Sequence, residues 1–546
     1  MELAQSLDGL MYARMIRSGA AHLKSQAAKV NDLNVFPIPD GDTGDNMLLT
    51  MLGGVNSIVE GAAAISEVSR KIADGMLLSA RGNSGVILSQ LFDGIAEGLS
   101  QVEWADRDTL GHAFRCGVKH AYNAVVEPTE GTILTVARLG ADAACENAAE
   151  SPEEVLQNFI REAKVTLQKT PDMLPVLKKA GVVDSGGAGL IYILEGMLAA
   201  LKGTDFEGDM TVSQGMVQEI DLDKFDENSV LEFGYCTELL LRLQNAKTNP
   251  ADFDVNVITE YLGTIGDSIV AFKTGTIVKI HVHTMTPHKV LAFCQQFGEF
   301  LKVKIENMSL QHNNTETDDL VTTVETEEER KAYGVVAVCS GEGVKNFFKE
   351  RGADVVVDGG QSMNPSTEDF LKAFKQVNAD TILVFPNNSN IILAAKQAAE
   401  MYTESDVRVI ESKTIGDGYA ALSMMDTDSG DTDAIVEELT DALSGVVTAE
   451  VSKSIRDTAE SKAGDYIGFV GKNILCDHEN RLEAAKATVE KAGFQNYDIC
   501  ILIYGKDTPE AEAEALKAHI ESAYRGKEVY LINGQQDIYD YILILE

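Results

Sequence analysis

The hydrophobic period of this chain changes near residue 204, and that change rules out a single repeated architecture. Up to about residue 203, apolar residues recur at intervals of three and four, in stretches such as 4–30, 107–126, 152–169 and 186–202. That spacing marks one face of a helix. Small residues are abundant and alternation with a period of two is nearly absent. The segment therefore predicts an all-α domain of about eight helices, with apolar stripes packed together and the connecting loops left at the ends for chemistry.

From 204 to 312 the pattern becomes α+β. FGYCTELLLRL (233–243) alternates as a strand, a helix is expected near 251–261, and SIVAFK and TIVKIHVHT form a hairpin-like pair around Thr274-Gly275. A helix over about 287–299 and the strand KVKIEN complete the order β-α-β-β-α-β, the split βαβ arrangement of ferredoxin-like domains. Residues 313–332 open with NNTETDDLVTTVETEEER, the composition of an acidic linker. From 333 to 546 short β-rich runs (GVVAVCS, DVVVDGG, TILVFPN, VRVIES, ICILIYG, EVYLIN) alternate with helical segments. They predict an α/β region with a largely parallel sheet, divided into two lobes near 440–450.

Composition narrows the function classes. Hydrophobic residues make up 45% and charged residues 24% of 546, which excludes a chain disordered throughout. No apolar run is long enough to span a membrane. The N-terminal MELAQSLDGLMYARMIRSGAAHL reads as an amphipathic helix and not as a signal peptide. Against 85 Asp and Glu stand 46 Lys and Arg, a net charge of −39 without a basic run. Such a chain repels nucleic acid, so no nucleic-acid partner is expected. Seven widely spaced cysteines without a CxxC indicate a reducing compartment, and a cytoplasmic location is expected.

The strongest local signal is NDLNVFPIPDGDTGDNM, residues 31–47. Pro37 and Pro39 end the first helix, and Asp40-Gly41-Asp42 places two carboxylates on a tight loop before the next helix. Clustered oxygen ligands of this kind suit Mg²⁺, which binds through few carboxylates, waters and substrate phosphates. An EF-hand is excluded, because position 12 counted from Asp40 is Met51. The same residues also fit an Asp/Gly-rich turn with a helix cap. ARGNSGV (80–86), EPTEGTILTVA (127–137) and VVDSGGAGL (182–190) are further small-residue loops leading into helices, where backbone N–H groups can cradle phosphate. Asp184-Ser185-Gly186 is not a serine-protease nucleophile segment. Its context is helical, and Val183 precedes Asp184 where that motif has Gly.

In the middle segment, His281 and His283 are two apart on one predicted strand and so share a face. With Cys236 they suit Zn²⁺, with water or Glu238 as a fourth ligand. A buried cysteine and two hydrogen-bonded histidines fit the same residues. In the C-terminal region DGGQSMNPS and FPNNSN each follow a strand and precede a helix, where α/β folds bind ligands. Ordinary Asn/Gly turns explain them equally well.

The succession NVFPIPDGDTGDNM, SARGNSGV, EPTEGTILTVA and AGVVDSGGAGL resembles the nucleotide-binding domain of dihydroxyacetone kinases, and more closely the catalytic subunit of bacterial fatty acid kinases. The likeness continues through GYCTE, IVKIHVHT, KIENMSLQH and VFPNNSNIILAAKQA. It implies a helical barrel with ATP at one end and two Mg²⁺ ions on Asp40 and Asp42, with Asn34 as the nearest further ligand. Thr43, Gly44, Asn46, Asn83, Ser84 and Gly85 would contact phosphate. Thr132, Asp184, Ser185 and Gly186 would surround the adenosine. Zn²⁺ in the middle domain and a homodimer are also implied. The C-terminal part resembles DegV-type fatty-acid-binding proteins, and the expected partner is a separate DegV-type protein that carries the acyl substrate. The implied activity is ATP-dependent phosphorylation of a fatty acid carboxylate to an acyl phosphate, in lipid metabolism and phospholipid synthesis. The alternatives are a kinase for a small hydroxyketone and a non-catalytic nucleotide- or metal-binding regulator.

Overall fold

A computed structural model describes residues 6–34, 42–59, 64–125, 127–146, 148–206, 235–244, 247–249, 253–274, 276–307, 330–360, 364–427, 430–458 and 460–546. It divides into two compact units. One joins the N-terminal helices to residues 329–546, and the other lies within 213–328.

The N-terminal part is helical throughout: α1 (Gly9–Asn31), α2 (Thr43–Asn56), α3 (Ile65–Ser79), α4 (Gly82–Gly98), α5 (Arg107–Asn123), α6 (Ile133–Glu146), α7 (Pro152–Leu167), the short α8 (Thr170–Met173) and α9 (Pro175–Ala180), and α10 (Ser185–Leu201). The helix starts are written in the sequence. Asp8, Asp106, Ser151 and Asp184 each accept a backbone N–H of the first turn they cap, and Pro152 sits at the first position of α7. The apolar stripes meet in one core that includes Met15, Ile16, Leu23, Met47, Leu88, Phe92, Phe159, Leu190 and Leu194. Packing is closest between α1 and α10. A Cβ on Gly196 would stand 2.5 Å from the Ser18 carbonyl oxygen, so only glycine lets the two backbones meet.

The second unit carries β1 (Tyr235–Leu243), α11 (Asn256–Leu262), β2 (Gly266–Thr274), β3 (Ile277–Thr284), α12 (Pro287–Cys294) and β4 (Gly298–Asn307). The strands form an antiparallel sheet in the order β2-β3-β1-β4. Period-two alternation puts Leu239, Leu241, Leu243, Val278, Ile280 and Val282 into one core with Ile258 and Leu262 of α11 and Val290 and Cys294 of α12. Leu301, Val303 and Ile305 of the edge strand β4 remain exposed.

Residues 330–546 hold two sheets. The first, β6 (Val355–Asp358), β5 (Lys331–Cys339), β7 (Ala379–Phe385) and β8 (Asp406–Val409) in that order, is wholly parallel. The second orders β11 (Asn473–His478), β10 (Tyr466–Val470), β9 (Val447–Lys453), β14 (Tyr541–Leu545), β12 (Ile499–Tyr504) and β13 (Glu528–Asn533). There only β12 and β13 pair in parallel. The expectation of a largely parallel sheet therefore holds for the first lobe and not for the second. The cause is connection length. A tight turn through Gly471 joins β10 to β11, and the segment between Asn533 and Tyr541 is too short for a helical crossover.

The first sheet is packed against the helical domain. Ala80 and Val86 share a core with Val336, Val338, Phe370 and Ile382. Arg81 forms a β-bridge with Ser366. The Gln397 amide donates to the Leu77 carbonyl at 2.7 Å and accepts from Gln90 at 3.0 Å.

Candidate functional site

The loops singled out by sequence gather at one end of the helical domain. Asp40 and Gly41 lie outside the described residues, and Asp42 is the first described residue after them. Asp42 stands at the N-cap position of α2, but its side chain makes no capping bond to that helix. Its backbone oxygen starts the helix instead, accepting from Asn46 N at 2.8 Å. The simple helix-cap reading of this carboxylate is therefore not met.

Asn31, at the end of α1, holds Gly44 and Asp45. Its Oδ1 accepts from Gly44 N at 2.7 Å and its Nδ2 donates to Asp45 Oδ2 at 2.9 Å. Asp45 is exposed and engaged with Asn31. Thr43 Oγ1 donates to Asn34 Oδ1 at 2.8 Å and lies 3.4 Å from Ser185 Oγ. One cluster thus unites Asn34, Thr43 and Ser185, which are distant in sequence.

The start of α4 closes another side. Gly82 has φ +58°, and a Cβ there would lie 2.6 Å from Asn46 Nδ2. Glycine lets this turn seat itself on buried Asn46. Asn83, Ser84 and Gly85 form the first turn of α4, and Gly85 N is bonded to Arg81 O at 3.1 Å. Thr132 Oγ1 accepts weakly from Leu134 N at 3.4 Å, at the beginning of α6. Gly186 comes within 3.2 Å of Ile133 when a Cβ is placed on it, so the 132–133 and 184–186 turns are neighbours. Each loop residue named from sequence that is described lies at a helix start or a turn of this end.

Asp184 keeps part of its surface exposed while its carboxylate sits among packed neighbours. Burial pushes its pKa up from 3.8 to about 6, against hydrogen bonds from the backbone N–H groups of Gly187 and Ile133 that favour the charged form.

Sequence reasoning missed what the α/β region adds. The loops after β6 and β7, at the carboxyl edge of the parallel sheet, lie on the α4 turn. Arg81 Nη1 donates to the Asn364 carbonyl at 2.7 Å, and Asn83 Nδ2 lies 3.4 Å from Ser389 O and from Asn390 Oδ1. Asn364 Nδ2 donates to Asp42 Oδ2. Arg456, from the second lobe, donates to the backbone oxygens of Asp32 and Asn34. The DGGQSMNPS and FPNNSN segments were the available signal, but no local pattern says that their target is within the same chain.

Among the described residues the buried side-chain oxygens Asn83 Oδ1 and Asn364 Oδ1 have no hydrogen-bond partner. An unmet buried acceptor costs roughly 1–3 kcal/mol. Of the two, Asn364 Oδ1 belongs to the amide that donates to the Asp42 carboxylate, and a hard oxygen of this kind suits Mg²⁺. Among the described residues no group of three or more His, Cys, Asp or Glu could hold a metal ion. Asp40 is not among them. Of Cys236, His281 and His283 the backbone alone is described. It places Cys236 opposite His283 and Glu238 opposite His281 in the β1–β3 ladder, so all four hold register positions on one face. Among the described residues Cys116, Cys145, Cys294, Cys339, Cys476 and Cys500 are thiols outside any disulfide. Among the described residues no helix is long and apolar enough to cross a membrane.

Family comparisons agree with this three-part architecture. The DAK2 domain matches residues 37–199. The FakA-like middle domain of fatty acid kinases matches 232–315, and the FakA-like C-terminal domain matches 334–546. Protein YloV of Bacillus subtilis is 39% identical over 560 residues, covering 99% of this chain and 100% of that protein. An uncharacterized protein of Staphylococcus saprophyticus is 38% identical over 557 residues and covers 100% of both chains. The chain belongs to the FakA-like fatty acid kinase family. Among solved structures, DegV, a fatty acid binding protein from Bacillus subtilis, is similar with a TM-score of 0.30 at 12% identity, over 40% of this chain and 100% of that one. The Streptococcus pneumoniae Fatty Acid Kinase (Fak) B3 protein loaded with linoleic acid has a TM-score of 0.29 at 13% identity, over 39% of this chain and 98% of that one.

The raised pKa of Asp184 has a stability consequence. The folded state binds this proton more tightly than the unfolded chain, so the contribution is fully present below about pH 4 and is lost as pH rises through about 6. Asp184→Asn keeps a capping oxygen and removes the titration. Between pH 4 and 7 the wild type should lose up to about 3 kcal/mol more than this variant, less where water reaches the carboxylate. Denaturant unfolding at the two pH values measures it, and equal losses in both proteins would contradict the assignment.

Proposed function

We propose that this protein is an ATP-dependent kinase that phosphorylates the carboxylate of a fatty acid. The observation that carries the reading is the gathering of Asp42, Thr43, Asn83 and Ser185 at one end of a DAK2-type helical domain. Phosphoryl transfer asks the protein for positioning and charge neutralisation more than for covalent chemistry. A carboxylate oxygen of the acyl chain forms a bond to the γ-phosphorus. The bond from that phosphorus to the bridging oxygen breaks, and ADP leaves with the electron pair. A fatty acid is already ionised at neutral pH, so no protein base has to remove a proton.

Within this reading Asp40 and Asp42 hold Mg²⁺, with Asn34 at the near edge of the loop. When bound, the ions offset the charge of the triphosphate in a chain of net charge −39. The α2 and α4 first turns, with Thr43, Gly44, Asn46, Asn83, Ser84 and Gly85, supply backbone N–H groups and short polar side chains for the phosphates. Thr132 and the Asp184-Ser185-Gly186 turn border the adenosine. The acyl chain arrives on a separate carrier protein of DegV type. The FakA-like family is described as one subunit of a fatty acid kinase, which fits a divided labour between nucleotide and lipid. Exposed Leu301, Val303 and Ile305 on the edge strand β4 support a homodimer through the middle domain. The reaction takes place in the cytoplasm.

Asp42→Ala removes a carboxylate that also accepts from the buried Asn364 amide, so some stability is lost with it. Turnover with Mg·ATP and a fatty-acid-loaded carrier should fall by about 10²-fold or more at a temperature where the variant remains folded. Near wild-type turnover would remove the reaction from this loop.

The pairing of Cys236 with His283, and of Glu238 with His281, supports a zinc site in the middle domain. Elemental analysis of the purified protein should find about one Zn²⁺ per chain, lost in a Cys236→Ser, His281→Ala double variant. Zinc-free wild-type protein would leave an ordinary sheet face.

A further inference from the structure

The loops at the carboxyl edge of the parallel sheet occupy the position where α/β folds bind ligands. Here they meet the helical domain of the same chain, where Asn364 donates its amide to the Asp42 carboxylate. From the second lobe, Arg456 holds the backbone oxygens of Asp32 and Asn34. Asn364 is 2% exposed, its backbone oxygen is tied to Arg81 at 2.7 Å, and Arg81 lies 3.5 Å from Asp369. The asparagine is therefore anchored by its own backbone and by the capped helix start behind it, where Ser366 and Asp369 form a capping box.

The orientation of the amide is set by chemistry. A carboxylate accepts, so the NH₂ must face Asp42. The other end of the same amide, Oδ1, is then a buried acceptor without a donor among the described residues. An oxygen in that condition beside a carboxylate suits a hard cation or a water held on one.

We infer that the α/β region completes the cation site of the helical domain, with Asn364 as the positioning residue for Asp42. This rests on the reading of Asp42 as a cation ligand. Asn364 fixes the rotamer of the carboxylate through a charge-assisted bond, the role that outer-shell partners play at metal sites. The α/β region thereby becomes part of the kinase site.

The test uses the full chain, Mn²⁺ as probe and a non-hydrolysable ATP analogue, with free Mn²⁺ followed by electron paramagnetic resonance. Asn364→Ala and the volume-keeping Asn364→Leu should each weaken Mn²⁺ binding by about tenfold or more. Gln397→Ala disturbs the same interface away from Asp42 and should change it less than about twofold, while Asp42→Asn should weaken it at least as much as the Asn364 variants. If Asp42→Asn weakens binding and neither Asn364 variant does, the inference fails while the cation reading stands. If Asp42→Asn has no effect, both fail. Equal weakening in the Asn364 and Gln397 variants would assign the effect to docking alone and overturn the role of the amide.

Discussion

The contact between Asn364 and Asp42 joins the two halves of the larger unit at its chemically most demanding point. In the proposed reading Asp42 receives a cation, and its side chain is not spent on capping its helix. It still needs a partner that fixes its direction, because a carboxylate without one samples several rotamers. The helical domain provides the chain turn, and the α/β region provides the amide. Around this point the shared core of Ala80, Val86, Val336 and Phe370 and the buried Gln397 bond keep the parallel sheet in place. The second lobe adds Arg456 at the backbone of Asp32 and Asn34.

Much of the larger unit was legible because local chemistry and global packing agree. The period of three and four gave the helices of residues 9–201. The change to period two located the strands of the middle segment. The division of the C-terminal region near 440–450 matches the second sheet, which opens at Val447. What stayed hidden was long-range. Asn364 and Asp42 are more than three hundred residues apart, and an Asn in a turn-forming segment carries no mark of its partner. The antiparallel character of the second sheet was hidden for a similar reason, since period-two runs do not declare the direction of their neighbours.

Electrostatics sets the remaining constraint. In the proposed function a chain of net charge −39 collects a tetra-anionic nucleotide. The end of the helical domain proposed to receive it is built from backbone N–H groups, amides and hydroxyls, with carboxylates suited to divalent ions. The exposed Asp45, tied to Asn31, adds charge at the rim. Asp184 lies deeper, and burial raises its pKa to about 6, so its negative charge is carried at a cost near neutral pH. Few and well-placed acids, balanced by neutral donors, are what phosphoryl transfer to an already ionised acceptor requires.

The central claim is that a carboxylate oxygen of the lipid becomes the bridging oxygen of the product. The most direct measurement supplies ATP, Mg²⁺ and a carrier loaded with fatty acid labelled with oxygen-18 in its carboxylate, and follows phosphorus by nuclear magnetic resonance. The account predicts an acyl phosphate resonance displaced by the heavy bridging oxygen, appearing in step with ADP. ADP formed without that labelled product, or an acyl phosphate lacking the heavy bridge, would contradict it.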